Sequence, residues 1–158
     1  MDAIIFLDID GVLNRLTDAP APTASSELWT PEDIDPVAVQ SLNGLIRRTT
    51  ARIVISSSWR LHHSVPELVS LLDGRGLSGE IVGVTPRMSG EPRGVEIRTW
   101  LAANARSEAA FVVLDDEAPS AGLHSHWVRT DPAVGLSEDD IDTAVTILSL
   151  PSSHRADR

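Results

Sequence analysis

Near its N-terminus the chain carries an apolar run that stops on two aspartates one residue apart, Ile4-Ile5-Phe6-Leu7-Asp8-Ile9-Asp10-Gly11. A continuous run this rich in isoleucine suits a strand covered on both faces, so residues 3–7 read as a central strand. The aspartates fall where that strand ends, and Gly11 lets the chain turn sharply there. In an open parallel sheet the carboxyl ends of the strands border the ligand crevice. Two carboxylates at such a place are costly unless something cationic binds them. The pattern marks a metal-assisted site.

Further strand and helix patterns alternate along the chain. Asp35-Pro36 starts a helix over 36–49, with aspartate as N-cap and proline at the first helical position. Arg52–Ser56 reads as a second buried strand that runs into Ser56-Ser57-Ser58-Trp59-Arg60. Ser64 and Glu67 have capping-box spacing before a helix ending near Gly74/Gly76. Residues 80–85 form a short third strand, 93–105 a helix, 110–114 a fourth strand closing on Asp115-Asp116, and 126–129 a fifth strand. Ser137 caps a last helix over 138–149. Strands separated by helices predict an α/β fold, a mainly parallel five-stranded sheet between helical layers. Residues 15–35 read as an active-site loop, since unstructured stretches beyond about 12–15 residues are often lids or binding loops. Residues 1–150 then form one domain and 151–158 a flexible tail. The short connections leave no room for a folded cap domain.

At 158 residues the chain suits one domain with a proper core. No apolar stretch approaches the ~20 residues of a membrane span, and a cytoplasmic protein is expected. The chain has no cysteine, which excludes disulfides, thiol chemistry and cysteine-based zinc sites. A net charge of −10 argues against an extended grip on nucleic-acid backbone, though not against a nucleotide or strand end held in one pocket. All 13 basic residues are arginine, so any cationic role falls to arginine, histidine or a metal.

Acidic or hydroxyl residues therefore close three strands: Asp8/Asp10, Ser56/Ser57 and Asp115/Asp116. In a parallel sheet these sets share one edge. Oxygen-only ligands point to a hard cation, Mg²⁺ first. One aspartate can attack while the other handles a proton, and the hydroxyls with a nearby cation can hold a transferring phosphoryl group. The histidines His62, His63, His124 and His126 fit no zinc spacing and read as solvated loop positions. Trp29 and Trp59 could stack on a base, but ordinary packing is the simpler reading. Glu138, Asp139, Asp140 and Asp142 read as a helix start that complements the macrodipole.

The segment Asp8-Ile9-Asp10-Gly11-Val12-Leu13 resembles the first motif of the haloacid dehalogenase (HAD) superfamily of aspartate-nucleophile phosphohydrolases. Ser56/Ser57 resemble its second motif, Arg93 its basic third and Asp115-Asp116 its fourth. With Asn14, Ser57-Ser58-Trp59-Arg60, Leu114-Asp115-Asp116-Glu117 and Thr130-Asp131…Gly135-Leu136, the chain is similar to the small HAD domain of bacterial RNA-repair proteins. The phosphatase half of phage polynucleotide kinase–phosphatase is more distant in pattern.

That resemblance implies a capless Rossmann-like α/β/α fold and a Mg²⁺-dependent phosphomonoesterase. It makes Asp8 the nucleophile and Asp10 the acid/base, whose carbonyl also helps bind Mg²⁺. Ser57, or Ser56 if the second strand runs one residue shorter, would hold the phosphoryl group, with Gly11 and Ser58 beside it, and Arg93 would pair with that group and Asp8. Asp115 and Asp116 would complete the metal site directly or through water. Arg60 is either an ion-pair partner or a substrate contact. Arginine stands where the third motif is commonly lysine, and its bidentate geometry makes that exchange non-neutral. Nucleotides or nucleic-acid phosphate ends are the implied substrates. The alternatives are a small-molecule metabolic phosphatase and a silent HAD-fold binding module acting through a partner.

Overall fold

The computed structural model describes residues 3–16, 31–104 and 106–151. Trp29, most of the 15–35 loop and the 152–158 tail lie outside them. The strands are β1 (Ala3–Leu7), β2 (Arg52–Ile55), β3 (Ile81–Val84), β4 (Ala110–Asp115) and β5 (Trp127–Arg129). The helices are α1 (Pro36–Thr49), α2 (Val65–Asp73), α3 (Arg93–Ala103) and α4 (Glu138–Ser149). All four strand pairings are parallel, in the order β3-β2-β1-β4-β5. The fold is thus the expected Rossmann-like α/β type, and no second domain covers the sheet edge among the described residues. No helix among them is long and apolar enough to cross a membrane.

Side-chain alternation divides the core. Ile5, Leu7, Ile53, Ile55, Val112 and Leu114 face one side, packed with apolar positions of α1, α2 and α4. Ile4, Phe6, Val54, Phe111 and Val113 face the other, where Ile97, Trp100 and Leu101 of α3 cover them. Three helices therefore lie on one face and α3 alone on the other. The chain reverses direction across the sheet between β1 and β4, which makes their carboxyl ends the switch point.

Local sequence accounts for the boundaries. Asp35 accepts a hydrogen bond from the Val37 N–H at 2.9 Å, and Pro36 follows at the helix start. Capping boxes open α2 (Ser64/Glu67) and α4 (Ser137/Asp140). The acidic start of α4 is occupied further: Glu138 accepts from Ser41 and Asp142 pairs with Arg48. One sequence expectation is overturned here. His126 is buried rather than solvated; its ring stacks on Phe111 with centroids 3.9 Å apart, and Nδ1 lies 3.1 Å from the Phe111 carbonyl oxygen. The apolar residues flanking it draw it into the α3 face, a tertiary effect with no local periodicity to announce it.

Gly94, in the first turn of α3, lies against the 119–120 loop; an added Cβ would fall onto the Pro119 carbonyl oxygen and 2.5 Å from that of Ser120. Both obstacles are backbone and cannot rotate away. Gly94→Ala should therefore lower stability by about 1–3 kcal/mol. Gly44→Ala, inside α1 with its nearest new neighbour an Arg47 nitrogen at 3.7 Å, should raise it by about 0.4–1 kcal/mol. Urea denaturation of the two variants checks the pair; equal midpoints would contradict this packing of α3.

Candidate active site

The alternation that sorts the core also aims the site. Asp8 continues the parity of Ile4 and Phe6, Asp115 that of Phe111 and Val113, and Ser56 that of Val54. All three therefore turn toward the α3 face. The register puts them in one row: Leu7 pairs with Ile55 and Leu114, and the next position holds Ser56, Asp8 and Asp115. The ladder continues through that row, with the Ser56 N–H donating to Leu7 O and the Asp8 N–H to Leu114 O, each at 3.0 Å. Arg93, the first residue of α3, faces it. Its Nη1 lies 3.1 Å from Asp8 Oδ2 and also donates to Asp115 Oδ2.

Each carboxylate is fixed by a second contact. Asp8 Oδ1 accepts the Ile9 N–H at 2.9 Å, and Asp115 Oδ1 accepts the Glu117 N–H at 2.9 Å. Asp8 is 5% exposed and Asp115 1%. Asp116 approaches over Gly11, whose φ of +78° is in the left-handed region. A Cβ at Gly11 would stand 2.9 Å from the Asp116 carboxyl, so the residue there must lack one. One oxygen each of Asp8, Asp115 and Asp116 lies within 4.8 Å of the others. Three carboxylates against one guanidinium leave two negative charges, and this hard-oxygen donor set fits a divalent cation such as Mg²⁺. The Asp10 carboxylate stands outside that cluster of three.

Asp10 Oδ1 instead accepts from Asn14 Nδ2 at 2.8 Å and from the Trp59 indole Nε1 at 3.0 Å. Asn14 turns its other atom to the Gly11 N–H at 2.8 Å, and Thr130 Oγ1 donates to Gly11 O at 2.8 Å. The turn after β1 is thus pinned from three places. Trp59 packs in the core, the simpler of its two expected roles, but its indole N–H also reaches the site. Asn14, Thr130 and the Trp59 contact were not assigned by sequence reasoning. The available signal was that Asn14, Trp59 and Thr130 all stand in the segments that carry the family resemblance, which gives them a place but no partner.

The hydroxyls differ. Ser57 Oγ accepts the Trp59 N–H at 3.2 Å and caps the 3-10 turn Ser58–Leu61. Ser56 Oγ is buried and has no hydrogen-bond partner among the described residues, and neither has Thr85 Oγ1 just after β3. Ser58 is exposed on the wall of a cleft of about 410 Å³, which Arg60, Leu61, Glu91, Arg93 and Glu117 also line. Arg60 is an ion-pair partner: Nη2 lies 2.6 Å from Glu96 Oε2, and its other nitrogens donate to backbone carbonyls.

Burial pushes the Asp8 carboxyl up to about 7; Asp115 and Asp10 add to the rise, and Arg93 opposes it. Burial also raises Asp115 against the pull of Arg93, and burial with the Asp8 charge raises Asp116. For Arg93 burial works downward, but Asp8 and Asp115 hold its pKa above the ordinary value. The ionised form of this cluster is therefore costly unless a further cation neutralises it.

Residues 4–141 match the family model of the HAD domain in Swiss Army Knife RNA repair proteins. No curated protein and no solved structure matches the chain.

Asp8 binds its proton more tightly in the folded than in the unfolded protein, so its contribution to stability is full below about pH 4 and is lost as pH rises through about 7. In EDTA, thermal unfolding should therefore fall between pH 5 and pH 8, and Asp8→Asn should flatten that fall. Mg²⁺ should restore the wild type at pH 8 and act weakly on Asp8→Asn. Identical pH profiles for the two proteins would contradict the assignment.

Proposed function

The chain belongs to the family of HAD domains found in Swiss Army Knife RNA repair proteins, and on that premise we propose that it is a Mg²⁺-dependent phosphomonoesterase working through an aspartyl-phosphate. The observation that carries this reading is the row Ser56–Asp8–Asp115 facing Arg93. It supports a hydroxyl, a nucleophile, a metal ligand and a fixed guanidinium around one point.

An Asp8 oxygen attacks phosphorus as the bond to the leaving oxygen breaks, and Asp10 gives that oxygen its proton. Asn14 and Trp59 occupy Asp10 Oδ1, which leaves Oδ2 to carry the proton. Water then attacks the phosphoryl group; Asp10 takes a proton from it, phosphate departs and the Asp8 carboxylate is restored. Ser56 Oγ, buried without a partner, donates to the equatorial oxygens, and Arg93 balances their charge. Ser57 shapes the turn instead. Asp8, Asp115 and Asp116 would hold Mg²⁺, which would supply charge neutralisation at the transferring group.

RNA or nucleotide phosphate ends are the first substrate class, on the family's description. A second class, small-molecule phosphomonoesters, is favoured by the cleft itself: both of its arginines are held by carboxylates, and Glu91 and Glu117 stand exposed on its walls. That charge disfavours a long polyanion.

Steady-state hydrolysis of an aryl phosphate with and without Mg²⁺ tests the chemistry. Turnover should require Mg²⁺, vanish in Asp8→Asn and fall about 100- to 10,000-fold in Asp10→Asn with folding retained. Ser56→Ala should cost about 100-fold in kcat, and Ser57→Ala clearly less. Unchanged hydrolysis in Asp8→Asn would refute the nucleophile, and the reverse order of the serines would return the second motif to Ser57.

A further inference from the structure

We propose that Arg60 and Glu96 form a positioning clamp that sets the end of β2 against the first turn of α3, and so the Ser56 hydroxyl against the Arg93 guanidinium. The inference rests on the phosphoryl-transfer reading above and adds to it residues that act through others.

The guanidinium of Arg60 serves four acceptors. Nε donates to Thr85 O at 3.0 Å, and Nη1 donates to Ser56 O at 3.0 Å and Ser57 O at 2.8 Å. Nη2 donates to Glu96 Oε2 at 2.6 Å, while Glu96 Oε1 accepts the Met88 N–H at 2.9 Å. One pair thus ties together the ends of β2 and β3, the loop that follows β3, and α3. The side chains are only 6% and 9% exposed. Glu96 lies three residues after Arg93, one turn along the same face of α3. Whatever fixes Glu96 against Ser56 O and Ser57 O therefore fixes Arg93 against the serine hydroxyls.

Stability alone is a poor reason for such a pair. Exchanging buried ions for apolar side chains of similar volume is often neutral or stabilising. What apolar side chains cannot supply is a rigid planar fork that measures the distance between three carbonyls and a carboxylate. Lysine cannot reproduce that fork either. Gly94 seats the same turn of α3 against the 119–120 loop, so the clamp acts on a helix end that is already backed.

The test compares Arg60→Lys, Glu96→Gln and the apolar double variant Arg60→Met/Glu96→Leu. Each is followed by kcat and KM on an aryl phosphate with Mg²⁺, by thermal unfolding, and by amide NMR resonances. All three should lose about 10- to 100-fold in kcat with KM nearly unchanged. The amides of Ser56, Ser57 and Arg93 should shift together, while those of α1 and α4 stay in place. The double variant should stay folded, and it carries the test should either single variant unfold. A pair that only adds stability would lower the unfolding midpoint and leave kcat of the folded protein intact. That result, with Ser56 and Arg93 unmoved, would overturn the clamp. Wild-type protein inert toward phosphomonoesters would instead sink the phosphatase reading, and the resonances alone would then judge the clamp.

Discussion

Asp8 and Asp115 end adjacent strands in one register row and share a single nitrogen of Arg93, with Asp116 close by. Asp8 and Asp115 are nearly sealed from water and Asp116 is half-buried; the three repel one another, and one guanidinium cannot offset all of them. The cluster therefore carries a standing deficit of positive charge at the place where the sheet opens. The surrounding features make sense as ways to hold that deficit in place. Gly11 admits Asp116, the Glu117 and Ile9 N–H groups fix the two buried carboxylates, and the Trp127 indole N–H donates to the Asp115 carbonyl at 2.9 Å. A strained electrostatic site on a rigid edge is what charge-stabilising catalysis requires.

The sheet that supports it was legible because its strands are buried on both faces. Uninterrupted apolar runs at 3–7, 53–55 and 110–114, each followed by polar residues, marked three of the five strands, and α1 and α4 carry their caps in plain sequence. The polar strand ends also put the pairs Asp8/Asp10, Ser56/Ser57 and Asp115/Asp116 on one edge. What followed from parity was their common direction: two-residue alternation from Phe6, Val54 and Val113 turns all three toward the face that only α3 covers.

The supporting contacts were not legible, and for a physical reason. Asn14, Trp59, Thr130 and Glu96 act through hydrogen bonds, several across long sequence separations, that no local pattern encodes. Arg60 looked equally suited to a substrate or an ion pair, because an arginine's partner is decided by what the fold brings beside it. Sequence put Ser57 ahead of Ser56 unless the strand stopped one residue early; β2 does stop at Ile55, and the 3-10 turn claims Ser57 Oγ as its cap. His126 shows the converse error, a polar residue in a short loop-like stretch that tertiary packing buries.

The central claim is that the Asp8 carboxylate, made reactive by its setting, takes the phosphoryl group. The most direct measurement is to mix the protein with a phosphomonoester and Mg²⁺, quench, reduce with borohydride and locate the modified residue by peptide mass spectrometry. An acyl phosphate at Asp8 is reduced to homoserine there, and the account predicts that conversion at Asp8 alone and only with substrate present. Conversion at another carboxylate, or none during active turnover, would contradict it.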